Sequence, residues 1–168
     1  MTHELNTFLI MLQQIRQLVL DADGRYATDA ELSFFSDYLK TARLRFTLYQ
    51  KIQKLEPQLV QQTIERFKLT RPDLLRAKGY DRTAKCARDI TLILRNTAAA
   101  LLSDDIEILQ DGTFVWFQVM MRSLKTQDAF DVGNRIIQTV VKQTLTPEEA
   151  ALFCPLLETA RLVVGEAI

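Results

Sequence analysis

Histidine is almost missing from this sequence: among 168 residues there is one, His3. That removes histidine-based acid–base chemistry, histidine-rich metal sites and the proximal imidazole that a haem globin needs. Cysteine is nearly as scarce. Cys86 and Cys154 form no CxxC or zinc-type spacing, and in a reducing compartment they are not expected to pair as a structural disulfide. Neither sign of charge is in excess, with Lys+Arg and Asp+Glu at 21 each. A protein that grips phosphates normally carries a basic surplus, so nucleic acid is not expected as a partner. No apolar run approaches the ~20 residues of a membrane span, so no membrane insertion is expected. The opening Met1-Thr2-His3-Glu4 lacks a positively charged leader region, and a cytoplasmic location is the expectation. Glycine (five) and proline (four) are few, so breaks in the chain are few and readable.

Apolar residues in helical phase fill the rest, and with 48% hydrophobic residues there is ample material for one core. We read a single all-α domain over residues 1–168. Phe8, Leu12, Ile15 and Val19 recur at i, i+4, i+7 and i+11, the face of a first helix that Gly24 stops. Thr28-Asp29-Ala30-Glu31 has the form of a capping box. It opens a helix with Leu32, Phe35, Leu39, Ala42 and Phe46 that is expected to run until Pro57. A shorter helix with Leu59, Val60, Ile64 and Phe67 leads to Arg71-Pro72-Asp73, and residues 69–81 read as irregular. Helical phase resumes over 82–102 and stops at Ser103-Asp104-Asp105. It returns over 113–124, again after Thr126 as cap (Phe130, Ile136, Ile137, Val140), and finally from the Thr146-Pro147 start. The total is about eight helices.

The densest chemistry is Arg82-Thr83-Ala84-Lys85-Cys86-Ala87-Arg88-Asp89. On a helix Arg82, Cys86 and Asp89 share one face at i−4, i and i+3, with Lys85 and Arg88 on a flank. A thiol, a carboxylate and three cations thus fall within about two turns. Taken alone, a single helical cysteine is more often a small buried hydrophobe, and three cations beside an aspartate are more often a solvated face.

The run Lys85-Cys86-Ala87-Arg88-Asp89-Ile90, followed by Leu94-Arg95, resembles the chromophore-bearing helix of the phycobiliproteins, phycocyanin alpha subunits in particular. Upstream, Asp21-Ala22-Asp23-Gly24-Arg25-Tyr26 with Thr28 and Glu31 is similar to that family's junction between its N-terminal helical pair and its globin-like body. Counting from Cys86, the resemblance continues without gaps through Arg122-Ser123-Leu124 and returns at Thr146-Pro147, so it spans roughly Asp21 to the C-terminus. It implies a globin-like helical bundle, residues 25–168, preceded by a dimerisation helix, residues 1–24. It implies a linear tetrapyrrole, phycocyanobilin foremost, thioether-linked at Cys86. Asp89 would hydrogen-bond its pyrrole nitrogens, and Lys85, Arg88 and Arg82 would pair with its propionates. It further implies light harvesting without enzymatic turnover, in phycobilisomes at the cytoplasmic face of thylakoid membranes. The implied partners are another such chain or a second copy, joined by Asp21 to Arg95 with Tyr26 at the interface and Phe8, Leu9, Leu12 and Ile15 packed on the partner, and also phycobilisome linkers.

This chain departs from the family pattern in places. Leu92-Ile93 stand where alpha-type chains carry two tyrosines. Gly112 replaces a pocket tyrosine, Phe130 an aromatic that is often tryptophan, and Ala150 the second attachment cysteine of beta-type chains. Cys154, one turn on, reads as core. The glycine pair and asparagine usual before Cys86 are missing, and the segment from Arg25 to Cys86 is shortened. These departures motivate an alternative, a non-antenna family member acting as bilin carrier, adaptor or regulator of phycobilisome components. A haem sensor of the same fold is disfavoured by the missing internal histidine.

Overall fold

The computed structural model describes residues 9–77, 79–106, 109 and 113–165, the side chains of 9–13, 77 and 113 excepted. Phe8 and Gly112, and the side chains of Leu9 and Leu12, therefore lie outside the described residues. Seven helices are present among those described: α1 (Leu9–Ala22), α2 (Ser33–Thr70), α3 (Pro72–Leu75), α4 (Thr83–Ser103), α5 (Thr113–Ser123), α6 (Gln127–Thr144) and α7 (Pro147–Gly165). Between α3 and α4 lies a two-stranded antiparallel ladder of β1 (Arg76–Ala77) and β2 (Tyr80–Asp81), in the register Arg76↔Asp81 and Ala77↔Tyr80. The bundle is all-α and globin-like, as expected. No described helix is long and apolar enough to cross a membrane.

One expected boundary is absent. α2 runs through Pro57 for 38 residues instead of ending there, which merges two expected helices. Proline in a helix interior removes one backbone hydrogen bond and crowds the preceding turn, at about 3 kcal/mol. The apolar stripe outweighs this: Leu48, Ile52, Leu55, Leu59, Thr63 and Phe67 keep helical phase on both sides of Pro57 and pack into the core. A break at Pro57 would take half of that stripe out of register. The 69–81 stretch is also more ordered than expected, because it holds the end of α2, α3 and the ladder.

The capping boxes form, with one displacement. Thr28 N–H donates to Glu31 Oε2 at 2.7 Å and Glu31 N–H returns to Thr28 Oγ1 at 3.3 Å. This closes a turn over Thr28–Leu32, one turn ahead of α2. The Thr146–Glu149 pair does the same at the start of α7, and Lys51 Nζ joins Glu149 at 2.7 Å. Thr126 occupies the N-cap position of α6 but does not cap it: its hydroxyl turns back to Met121, 3.0 Å from the sulfur. At the other end of α4, Asp104 takes a left-handed conformation (φ 55°) and its N–H closes the helix on Ala100 and Leu101.

The core joins α2 to α4 and α6, and α7 to α4, α5 and α6. α2 and α6 approach closely at Gly133, where a Cβ would stand 3.3 Å from the Phe67 ring. Phe117 and Phe130 meet edge to face at 5.5 Å. By contrast, among their described side chains α1 and α2 up to Thr47 contribute only Ala22 to the buried residues. This arm is tied to the body at the end of α4. Tyr38 donates to the Leu102 carbonyl at 3.1 Å, and Arg45 donates to the Leu101 carbonyl at 3.0 Å and pairs with Asp104 at 2.6 Å.

Two stability predictions follow from this packing. Pro57→Ala should stabilise the chain by about 1–3 kcal/mol, since the helix is already continuous and only the proline's penalty is removed; thermal unfolding followed by circular dichroism measures it, and a lower Tm would contradict the continuous helix. Hydrogen bonds from Arg25 and Thr28 hold Glu31 down at about 2, and Arg161 and Gln138 hold Glu158 at about 2, against an ordinary 4.5. Their stabilisation is fully present above 4.5 and is lost as pH falls towards 2. Tm should therefore fall across that window, by a small amount because both carboxylates are solvent-accessible, and Glu158→Gln should flatten part of the drop.

Candidate functional site

The chemistry-bearing residues are delivered by the ladder. Arg82 N–H donates to the Leu75 carbonyl at 2.8 Å, which docks the strand end on α3. Asp81 Oδ1 accepts the Thr83 N–H at 2.8 Å, capping the first turn of α4 by side chain. Cys86 N–H then bonds the Arg82 carbonyl at 2.9 Å. Arg82, Lys85, Cys86 and Asp89 thus occupy the first two turns of a helix whose remainder is core.

These four residues line one narrow, largely apolar cavity that is partly open to solvent. All four are half-buried. The opposite walls come from Phe67 on α2, Ile90 and Ile93 on α4, Met121 on α5, and Phe130, Gly133 and Asn134 on α6. Four of the five predicted residues of this site are therefore brought together. Arg88 is not: it is exposed and does not contribute to the lining.

Lys85 Nζ pairs with Asp89 Oδ2 at 2.6 Å, one turn apart. Burial nevertheless raises the Asp89 pKa above the ordinary carboxylate value, with Lys85 and Arg88 pulling the other way. Burial also raises the Cys86 thiol, with Asp89 adding to the effect and Lys85 and Arg82 opposing it. A helix N-terminus favours thiolate, so two effects compete at Cys86, and desolvation prevails. Cys154 is likewise raised by burial and lies in the core of α7, where it was expected. Among the described residues no group of histidine, cysteine or carboxylate side chains could hold a metal ion.

The donor set suits an extended amphiphile. It offers a thiol for covalent anchoring, one carboxylate for N–H donors, two cations for carboxylates, and an apolar, aromatic wall. Asn134 supports this fit: it is buried, lines the cavity, and its Nδ2 has no hydrogen-bond partner. It was missed at sequence level, though a signal existed, since an asparagine stands on the apolar stripe Phe130, Ile137, Val141 of its helix.

The expected interface residues are dispersed within one chain. Asp21 accepts from Gln17 at 2.8 Å. Arg95 pairs with Glu56 through two bonds of 2.7 and 2.8 Å. Tyr26 is 98% exposed. An open groove runs beside Arg95, between Tyr49, Gln53 and Glu56 of α2 and Leu94 and Ala98 of α4.

The profile of the phycobilisome protein family matches residues 17–162. The allophycocyanin alpha chain of Thermosynechococcus vestitus is 27% identical over 136 residues, covering 78% of this chain and 84% of the relative. Allophycocyanin subunit beta-18 of Aglaothamnion neglectum is 30% identical over 138 residues, covering 79% and 81%.

The electrostatics yield a prediction. Asp89→Asn removes a negative charge that raises the Cys86 pKa, so more thiolate forms at pH 8. Alkylation of Cys86 should speed up by about two- to fivefold, read by mass spectrometry, with buried Cys154 as internal control. A slower reaction would mean that Asp89 does not act on the thiol.

Proposed function

The chain belongs to the phycobilisome protein family, and we propose that it is a pigment-binding, light-absorbing subunit that holds a linear tetrapyrrole in the cavity between α4 and α6. The single observation that carries this reading is the convergence of Cys86, Asp89, Lys85 and Arg82 on one apolar-walled cavity. The names of its relatives support a tetrapyrrole, and the resemblance of the Cys86 helix favours phycocyanobilin.

Each residue has a role in that reading. Cys86 supplies the sulfur of a thioether anchor. Asp89 accepts pyrrole N–H donors, and its negative charge favours a protonated pigment. Lys85 and Arg82 take the propionates as charge-assisted contacts, and Arg88 takes a propionate at the exposed rim. Phe67, Ile93, Met121 and Phe130 hold the pigment against torsion, which otherwise dissipates excitation. The bound pigment absorbs visible light and passes the excitation on. No group of the chain transfers atoms in that working state, so the protein is not an enzyme.

The arm serves assembly. In this reading residues 1–24, of which α1 (Leu9–Ala22) is the described helix, are the dimerisation segment ahead of the globin-like body, 25–168. The exposed Val19, Leu20, Leu39 and Phe46, with the first helix, bury against another family chain or a second copy. Asp21 of one chain meets Arg95 of the other beside Tyr26. Arg95 leaves Glu56 for this at little penalty, because an exposed ion pair contributes about 0–1 kcal/mol. Phycobilisome linkers are the further partners, and the site of action is the cytoplasmic face of the thylakoid.

A second reading rests on the raised Cys86 pKa: a less nucleophilic thiol suits a carrier or regulator that binds pigment reversibly. Co-production with phycocyanobilin and its attachment enzymes separates the two. The expected product is a coloured chain whose 19.3 kDa band fluoresces with zinc after denaturation. Cys86→Ala should lose covalent pigment, and Asp89→Ala should keep it with a weaker, shifted red band. Colour lost on denaturation supports the carrier; a colourless chain sinks pigment binding altogether.

A further inference from the structure

Asn134 is the only polar side chain among the buried residues of α6, and it is 1% exposed. Its Oδ1 accepts from Gln138 Nε2 at 3.4 Å, and the same Gln138 nitrogen donates to Glu158 Oε2 at 2.7 Å. An ionised carboxylate only accepts, so Glu158 fixes which end of the Gln138 amide faces it. Gln138 in turn fixes the Asn134 amide, because a flipped Asn134 would set nitrogen against nitrogen. Arg161 anchors the far end by pairing with both Glu158 and Asp131. A surface charge network thereby orients a buried amide, and the atom left over is Nδ2. That nitrogen has no partner, and Asn134 lines the cavity that holds Cys86 and Asp89. Buried amide donors are rarely left unpaired unless something else supplies the acceptor.

We propose that Asn134 Nδ2 is a specificity-determining donor that recognises a neutral carbonyl oxygen of the ligand at the α6 wall. A lactam carbonyl, such as a linear tetrapyrrole carries at its ends, has this chemistry. A carboxylate does not suit the position, since Arg82 and Lys85 line the cavity from α4 and the α6 wall offers no cation. The inference rests on the pigment-binding reading and adds to it a contact from α6 that orients the pigment relative to Cys86.

The test uses the full chain carrying Cys86→Ser, titrated with free phycocyanobilin and followed by absorbance, with and without Asn134→Leu. Leucine keeps the volume and removes the donor. Affinity should fall about five- to tenfold, the loss of one hydrogen bond, and the bound absorption band should shift. Thermal unfolding of the pigment-free chain should move the other way, with Tm equal or higher, because an unpaired donor has been removed. Asn134→Ala provides a second probe should leucine disturb folding, with the same affinity loss expected. Equal affinity and an unmoved band would overturn the inference while leaving pigment binding intact. A lowered Tm with unchanged affinity would mark Asn134 as merely structural and overturn it as well. No binding by the Cys86→Ser parent, together with no covalent pigment in the natural chain, would overturn both readings at once.

Discussion

Burial of one face of α4 is the constraint on which the rest of the structure depends. Ile90, Ile93, Leu94, Thr97, Ala98 and Leu101 are enclosed by α2, α6 and α7. Cys86 belongs to the same stripe, in phase with Ile90 and Ile93, but lies where the covering helices no longer close over it. The cavity is that uncovered end of the stripe. Core and site are therefore one helix face, filled by the chain over its C-terminal part and left open over the first two turns. The close passage of α6 over Phe67 at Gly133 sets how near the opposite wall can come.

The same helix anchors the arm. Its last carbonyls and Asp104 receive Tyr38 and Arg45 from α2, a favourable place for a guanidinium because the helix C-terminus is negative. Among its described side chains the arm otherwise buries almost nothing within the chain. A long helix with apolar residues on an unpartnered face gains little of its stability locally, so α1 and the first third of α2 are held by a few polar contacts. An arm built this way is poised to be completed by apolar surface from outside.

Much of the fold was legible, because helical phase is a local signal and the caps are residue-specific. Gly24, Asp104 and the two Thr/Glu boxes act as their chemistry dictates. Pro57 misled for an instructive reason: its penalty is local and fixed, whereas the reward for continuing the helix is a stripe whose burial depends on α4 and α6, which sequence alone does not weigh. Thr126 misled because its hydroxyl had a closer alternative at Met121. At the site, helical spacing grouped Arg82, Cys86 and Asp89 correctly. Arg88 was harder, since two residues on a flank separate only when the neighbouring helices choose which side to cover. Asn134 lies far along the chain, and only tertiary packing brings it opposite Cys86.

The Lys85–Asp89 pair lets two half-buried charges stand in an apolar-walled cavity. In the free chain each satisfies the other, so neither is a half-buried charge without a partner, an arrangement that would be far more destabilising than the pair itself. Asp89 still remains partly frustrated, with burial raising its pKa despite the lysine. Under the proposed pigment-binding reading, a ligand bearing both carboxylates and N–H donors would resolve this by exchange, with Lys85 turning to a carboxylate and Asp89 to the N–H groups, so that no charge is abandoned on the way. A ligand with only one of these features breaks the pair and leaves the other member unpaired. Under that reading the site would discriminate by requiring both kinds of group at once. Arg82, which also lines the cavity, would supply the second cation that a ligand with two carboxylates calls for.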